Sequence, residues 1–262
     1  MTQMKHIGAY SVGRCAAGAI MAIALAVTAT AEVNFESAVG IWLFDDGNGK
    51  VAEDSSGNGV DGALIGGAEW IDDGAFGKAL EFNGSDACVE TGQQLLEAVT
   101  DFTVTLWLRT GGTGGDRVGL VGQNDTVEFG LINPTTMQLW SEGGGGSHDQ
   151  PWVLSDDEWH HVAGTGTPDV LRLYIDGAMT EGALPTPDHG TSAFFVNIGG
   201  CGIYDGTGNW FTGGIDEVGI FHEALPEEDI LTLMENGFKQ TLAVSARGKA
   251  AVTWGGIKAE AR

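Results

Sequence analysis

WHHVAGTGTPDVLRLYIDG, residues 159–177, reads as two antiparallel strands joined by a turn. Leu171, Leu173 and Ile175 alternate with Arg172, Tyr174 and Asp176, the period of two that sends one set of side chains into a core and the other toward solvent. Asp176-Gly177 closes the second strand, because a Gly after Asp supplies the positive φ of a tight hairpin and turns the chain toward Ala178 and Met179. A β-hairpin therefore lies inside a β protein.

The same alternation recurs on either side. In FTVTLWLR, residues 102–109, Phe102, Val104, Leu106 and Leu108 share one face, and Thr103, Thr105, Trp107 and Arg109 the other. Residues 118–123, 126–132 and 136–141 continue as a meander with turns at Asn124-Asp125 and Asn133-Pro134. Earlier strands are expected at 39–44 and 60–65, later ones at 194–199 and 214–222. Only residues 226–237, PEEDILTLMENG, carry helix signals: Pro at the start, acids in the first turn, Ile230, Leu233 and Met234 on one face, and Gly237 as the stop. In the tail, 238–262, two short apolar runs flank Arg247-Gly248, which reads as a β-ribbon or a loose appendage. Many short strands and one short helix predict an all-β class: a single two-sheet antiparallel jelly-roll sandwich over residues 32–237.

Charged residues are 18% of the chain, and acids outnumber bases 36 to 12 for a formal charge of −24. That balance argues against any hold on nucleic-acid phosphates or anionic membrane surfaces, and it favours divalent cations. Residues 1–31 differ: Lys5 and Arg14 are basic, no acid occurs, and an apolar run from Cys15 to Val27 ends in Ala29-Thr30-Ala31. This is the layout of a secretory signal cleaved before Glu32, and the run is shorter than the ~20 residues a membrane span needs. The expected localisation is secreted, periplasmic or cell-surface, with no stable transmembrane segment after cleavage. Cys88 and Cys201 then remain, either as one disulfide or as two buried thiols.

Six segments, in order, resemble the laminin G-like, concanavalin A-like jelly rolls of exported bacterial proteins: GIWLFDDGNGKVAEDSSGNGVDGALIGG at 40–67, FGKALEFNGSD at 76–86, FTVTLWLR at 102–109, EWHHVAGT at 158–165, LRLYIDG at 171–177 and GGIDEVGIFHEALPEEDI at 213–230. The resemblance implies the fold but not an activity, since this fold carries sugar-binding modules, adhesion domains and some glycosidases. It also implies a structural calcium tying the early loops to an Asp of the final strand, the place of Asp216 in GGIDEV. Asp45, Asp54, Asn58 and Asp61 supply the oxygen donors such an ion takes.

A retaining glycosidase on this fold needs carboxylates ~5 Å apart facing one cleft. Glu227-Glu228-Asp229 fall in the helix, and strand alternation puts Asp216 and Glu217 on opposite faces, so no catalytic residues are expected. His160 and His161, as strand neighbours, cannot share a metal ion, and Ser147-His148-Asp149 lies in a glycine-rich loop without the rigidity a hydrolase triad requires. Trp140, His148, Trp152, His189, Tyr204 and Trp210 lie in or beside the longer loops, where aromatic faces could stack on a sugar ring. The expectation is a non-catalytic binding module for a glycan or a cell-surface or matrix component. The alternatives are a glycoside hydrolase or lyase of the same fold, or a structural adhesion protein docked through the tail.

Overall fold

The alternating segments pair into two sheets in the computed structural model, which describes residues 33–112 and 115–260, with residues 247–260 described by backbone alone. The expected signal at 1–31 lies outside the described residues. In chain order the strands are β1 (Ala38–Trp42), β2 (Val51–Ala52), β3 (Gly62–Ile65), β4 (Glu69–Ile71), β5 (Ala79–Asn83), β6 (Cys88–Glu90), β7 (Phe102–Arg109) and β8 (Val118–Gln123). They continue as β9 (Val127–Asn133), β10 (Thr136–Ser141), β11 (Gly146–Pro151), β12 (Trp159–Gly166), β13 (Val170–Ile175), β14 (Ala178–Ala183), β15 (Val196–Ile198) and β16 (Thr212–Phe221), followed by helix α1 (Glu227–Glu260).

The first sheet runs β14-β13-β12-β7-β16-β5-β4 with β1 also on β16, and the second runs β11-β10-β9-β8-β15-β6-β3-β2. Their inner faces enclose one apolar core, to which β7 gives Phe102, Val104, Leu106 and Leu108, and β9 and β10 give Val127, Phe129, Leu131, Met137 and Leu139. Two eight-stranded antiparallel sheets with long crossings make the expected jelly roll. The hairpin that opened the reading turns at Asp176 and Gly177, both at positive φ, with Ile175 opposite Ala178. Gly177 has a second reason to lack a side chain: a Cβ there would lie 2.7 Å from Leu231 of α1.

The outer face of the first sheet is not solvated. Tyr174, expected toward water, is 2% exposed, and it joins Ile41, Ala163, Phe221, Ile230, Leu233 and Phe238 in a second core beneath α1. The reason lies in the tail. Instead of a β-ribbon, residues 238–260 continue as helix beyond a break at Gly237 (φ 67, ψ 167). Phe238, Thr241 and Ser245 are buried and Leu242 half-buried, a spacing of three to four that suits a helix lying on a sheet. Phe238 stacks on Phe221 with centroids 6.1 Å apart.

Cys88 of β6 and Cys201 form a disulfide with Cα atoms 5.9 Å apart. Glu90 lies close to both sulfurs, but the bridge uses up the thiolates a metal ion would need.

Candidate cation cluster and open sheet face

Strand β16 changes partner halfway along one edge. Its first half, Thr212–Ile215, pairs with β5, and its second half, Val218–Phe221, pairs with β1. Asp216 and Glu217 fall in the gap, at a bulge where Glu217 takes a left-handed φ of 51°. The bulge overturns the expectation from alternation. Both side chains are buried, at 0% and 2% exposure, and both lie in the field of Asp45 at the end of β1.

The Phe76 and Glu217 N–H groups donate to Asp216 at 2.9 and 2.8 Å, the Lys78 N–H donates to Asp45 at 3.1 Å, and the Phe238 N–H donates to Glu217. Burial, reinforced by the charges of Glu217 and Asp45, pushes Asp216 up to about 8; burial and Asp45 push Glu217 up to about 7. Among the described residues one side-chain cation pairs with this group: Lys239, largely exposed, donates to Asp45 at 2.8 Å. A cavity of about 430 Å³ opens beside Asp45, Phe76, Gly77, Glu217, Asn236 and Lys239. Backbone presses close, since a side chain at Gly77 would collide with Asp45 and one at Gly74 would come within 2.8 Å of Asp216. Asp45, Asp216 and Glu217 share one field, and oxygen donors of this kind suit a hard divalent ion, but their oxygens do not all come within 4.8 Å of one another in this arrangement.

The other expected metal ligands are engaged elsewhere. Asp54 accepts from the N–H groups of Ile41, Ser56 and Val60 and from the Ser56 hydroxyl, at 2.8–3.1 Å. Burial alone would raise Asp54, but these donors hold it below the usual carboxylate range. Asp61 accepts from the Asp54 N–H at 3.0 Å, and Asn58 donates to the Ala38 carbonyl at 2.9 Å. These three side chains shape the 54–61 loop, while the charges acting on Asp216 are those of Glu217 and Asp45.

The aromatic candidates also separate. Trp152 is 1% exposed, edge-on to His160, and His189 is 0% exposed, bonded to Ser141 at 2.8 Å and 4.7 Å from the Phe102 ring. Both are core residues, and neither can stack on a ligand. His148 points off β11 to Thr180 of β14 at 2.9 Å, joining the edges of the two sheets, and burial lowers its pKa. Trp210 packs over Gly200.

Trp140 remains, half-buried on the outer face of the second sheet. Register places Glu128, Trp140 and Ser147 in one row across β9, β10 and β11, and Gly130, Gln138 and Asp149 in the next. Gln138 donates to Asp149 at 2.9 Å, and Glu128 accepts from the Asp125 N–H at 3.0 Å. Burial, then the charges of Asp125 and Asp205, push Glu128 up to about 7.

Beside these rows the 199–211 loop folds over β8, with Ile203 seated on Gly119 and Gly122. Asn209 braces the loop: it accepts from the Tyr204 and Asp205 N–H groups at 2.9 and 3.1 Å and donates to the Arg117 carbonyl at 2.9 Å, while Arg117 pairs with Asp205. Tyr204 is 5% exposed, and its hydroxyl has no partner among the described residues. Sequence reading missed Glu217, Glu128, Gln138 and Asp149 as site residues. For Glu217 the one available signal was Gly219 inside a strand pattern, a common companion of a bulge.

The family model of the concanavalin A-like lectin/glucanases superfamily, laminin G type, matches residues 83–231. The chain belongs to this family. No curated protein matches the sequence. Among solved structures, this laminin G-type chain is similar to domain 4 of AbnA, a GH43 extracellular arabinanase from Geobacillus stearothermophilus, in complex with arabinotriose. The TM-score is 0.59 at 21% identity, over 75% of this chain and 98% of that one. It is also similar to the binding domain of Paraclostridial Mosquitocidal Protein 1 (TM-score 0.54, 17% identity, 76% of this chain) and to that of Botulinum Neurotoxin DC in complex with SialylT (0.55, 13%, 77%). It spans about half the length of those two toxin chains, 52% and 51%. Among the described residues no helix is long and apolar enough to cross a membrane.

Proposed function

We propose that the protein is an exported, non-catalytic carbohydrate-binding module with a structural calcium ion. The observation that carries the sugar reading is the outer face of the second sheet. The first sheet buries its outer face under α1, whereas β9–β11 present half-buried Trp140 beside exposed Ser147 and Asp149, with Glu128 and Gln138 largely buried in the same rows. An aromatic face flanked by amide, hydroxyl and carboxylate groups suits a sugar ring and its hydroxyls. Two of the similar structures, by their descriptions, hold glycans, the neutral arabinotriose and the sialylated SialylT, which supports a glycan ligand.

The bulge at Asp216-Glu217 does not revive the hydrolase alternative. Both carboxylates are buried and hold backbone N–H groups, whereas a glycosidase pair must face a groove that admits a sugar. Asp45, Asp216 and Glu217 would have to draw closer together than they stand here to hold the calcium, which would supply countercharge to the two buried carboxylates, Asp216 and Glu217.

Trp140→Ala is expected to weaken binding to an immobilised glycan panel about tenfold, roughly 1.4 kcal/mol, without changing the unfolding midpoint. Unchanged binding, or no glycan bound by wild type, would remove the reading. The calcium part has its own test, thermal unfolding in calcium and in chelator. An ion binding only the folded state at a hundred times its dissociation constant adds ~2.7 kcal/mol, roughly 5–10 °C here, and this increment is expected in wild type and absent in Asp216→Ala. Identical wild-type midpoints in calcium and in chelator would eliminate the calcium site.

A further inference from the structure

We infer that the outer face of β9–β11 selects uncharged, hydroxyl-rich glycans over carboxylated or sulfated ones, an inference that rests on the carbohydrate-binding reading above. Hydrogen-bonding capacity decides the class. The exposed Asp149 carboxylate accepts, and it already takes one amide N–H from Gln138. A sugar hydroxyl can donate to that carboxylate, whereas a uronate carboxylate or a sulfate group cannot.

Charge points the same way. The cation whose field reaches both Glu128 and Tyr204 is Arg117, and its guanidinium is paired with Asp205. Among the described residues an acidic sugar would find no unpaired arginine fork there, only the carboxylates of Asp149 and Asp205 on a chain of net charge −24. Burial first, and then the charges of Asp125 and Asp205, raise Glu128 to about 7.

The test is equilibrium binding of the full chain, in calcium buffer, to neutral trisaccharides (arabinotriose, xylotriose, cellotriose) and to trigalacturonate and a sulfated trisaccharide of equal length. At least one neutral sugar is expected to bind tenfold or more tighter than either acidic one, with the gap narrowing in Asp149→Asn and at 1 M salt, where the Debye length falls to about 3 Å. Acidic sugars binding equally or more tightly would overturn this inference and leave the module reading standing; no binding to any sugar would overturn both.

Discussion

Replacing Cys88 and Cys201 together by alanine is expected to lower the thermal midpoint by roughly 10–20 °C. The two cysteines are 113 residues apart, and the loop-closure entropy the bridge removes from the unfolded chain is worth about 4.7 kcal/mol for a loop of ~100 residues. The bridge also has a local task. It ties β6 to the start of the loop whose Ile203 and Tyr204 flank the open face, a loop that holds Cys201 and Asn209 at positive φ. Without it, Asn209 and the Arg117–Asp205 pair would brace that loop alone, and an exposed ion pair contributes ~1 kcal/mol or less. Glycan binding should therefore weaken along with stability. A reductant that leaves the midpoint of the wild-type protein unchanged would refute the expectation.

How much was legible in the sequence depended on whether a residue obeyed its local period. The hairpin at 159–177 followed from alternation and Asp-Gly, because both are decided within a few residues. Tyr174 alternated as an outward residue and did point outward, yet onto α1; a second layer is set by residues some sixty positions away. The tail contained the helical spacing of Phe238, Thr241, Leu242 and Ser245, but Gly237 and Arg247-Gly248 looked like breaks around strand-length runs.

In the site, Asp216 was recognisable from GGIDEV, whereas Glu217 was assigned to the wrong side because a bulge adds one residue to the period. The acids of the 54–61 loop looked like ligands because the side chains that bind cations also cap turns. Trp152 and His189 lay in long connections, and nothing local showed that those connections fold back across the core. Trp140 was found as an aromatic beside a loop; its partners Glu128 and Gln138 come from register, which only strand pairing reveals.

Lowering the pH is expected to destabilise the protein through His161. This ring is 2% exposed, shares a 2.8 Å hydrogen bond with Thr105, lies 5.5 Å from the Trp107 ring, and leaves Nδ1 without a partner among the described residues. Burial alone depresses its pKa to about 3. In the unfolded chain the same ring titrates near 6.5. Between those values the unfolded state binds a proton that the folded state refuses, so the contribution is fully present above about 6.5 and is lost at ~1.4 kcal/mol per unit as pH falls. At pH 4 the loss reaches roughly 3.4 kcal/mol, on the order of 10 °C in midpoint.

The preceding residue, His160, has the opposite sign. Burial would lower His160, but hydrogen bonds to Asp156 and Asp176 overcome it and raise the pKa, so its contribution is complete below about 6.5 and fades as pH rises through the raised value. The wild-type profile therefore mixes the two. Comparing wild type with His161→Gln, which keeps a polar partner for Thr105, cancels every other group. Urea unfolding from pH 7 to 4 should show the variant gaining on wild type by ~1.4 kcal/mol for each unit below 6.5. A flat difference would mean that the folded protein accepts the proton, and that the sheet beneath α1 opens to water around His161 at low pH.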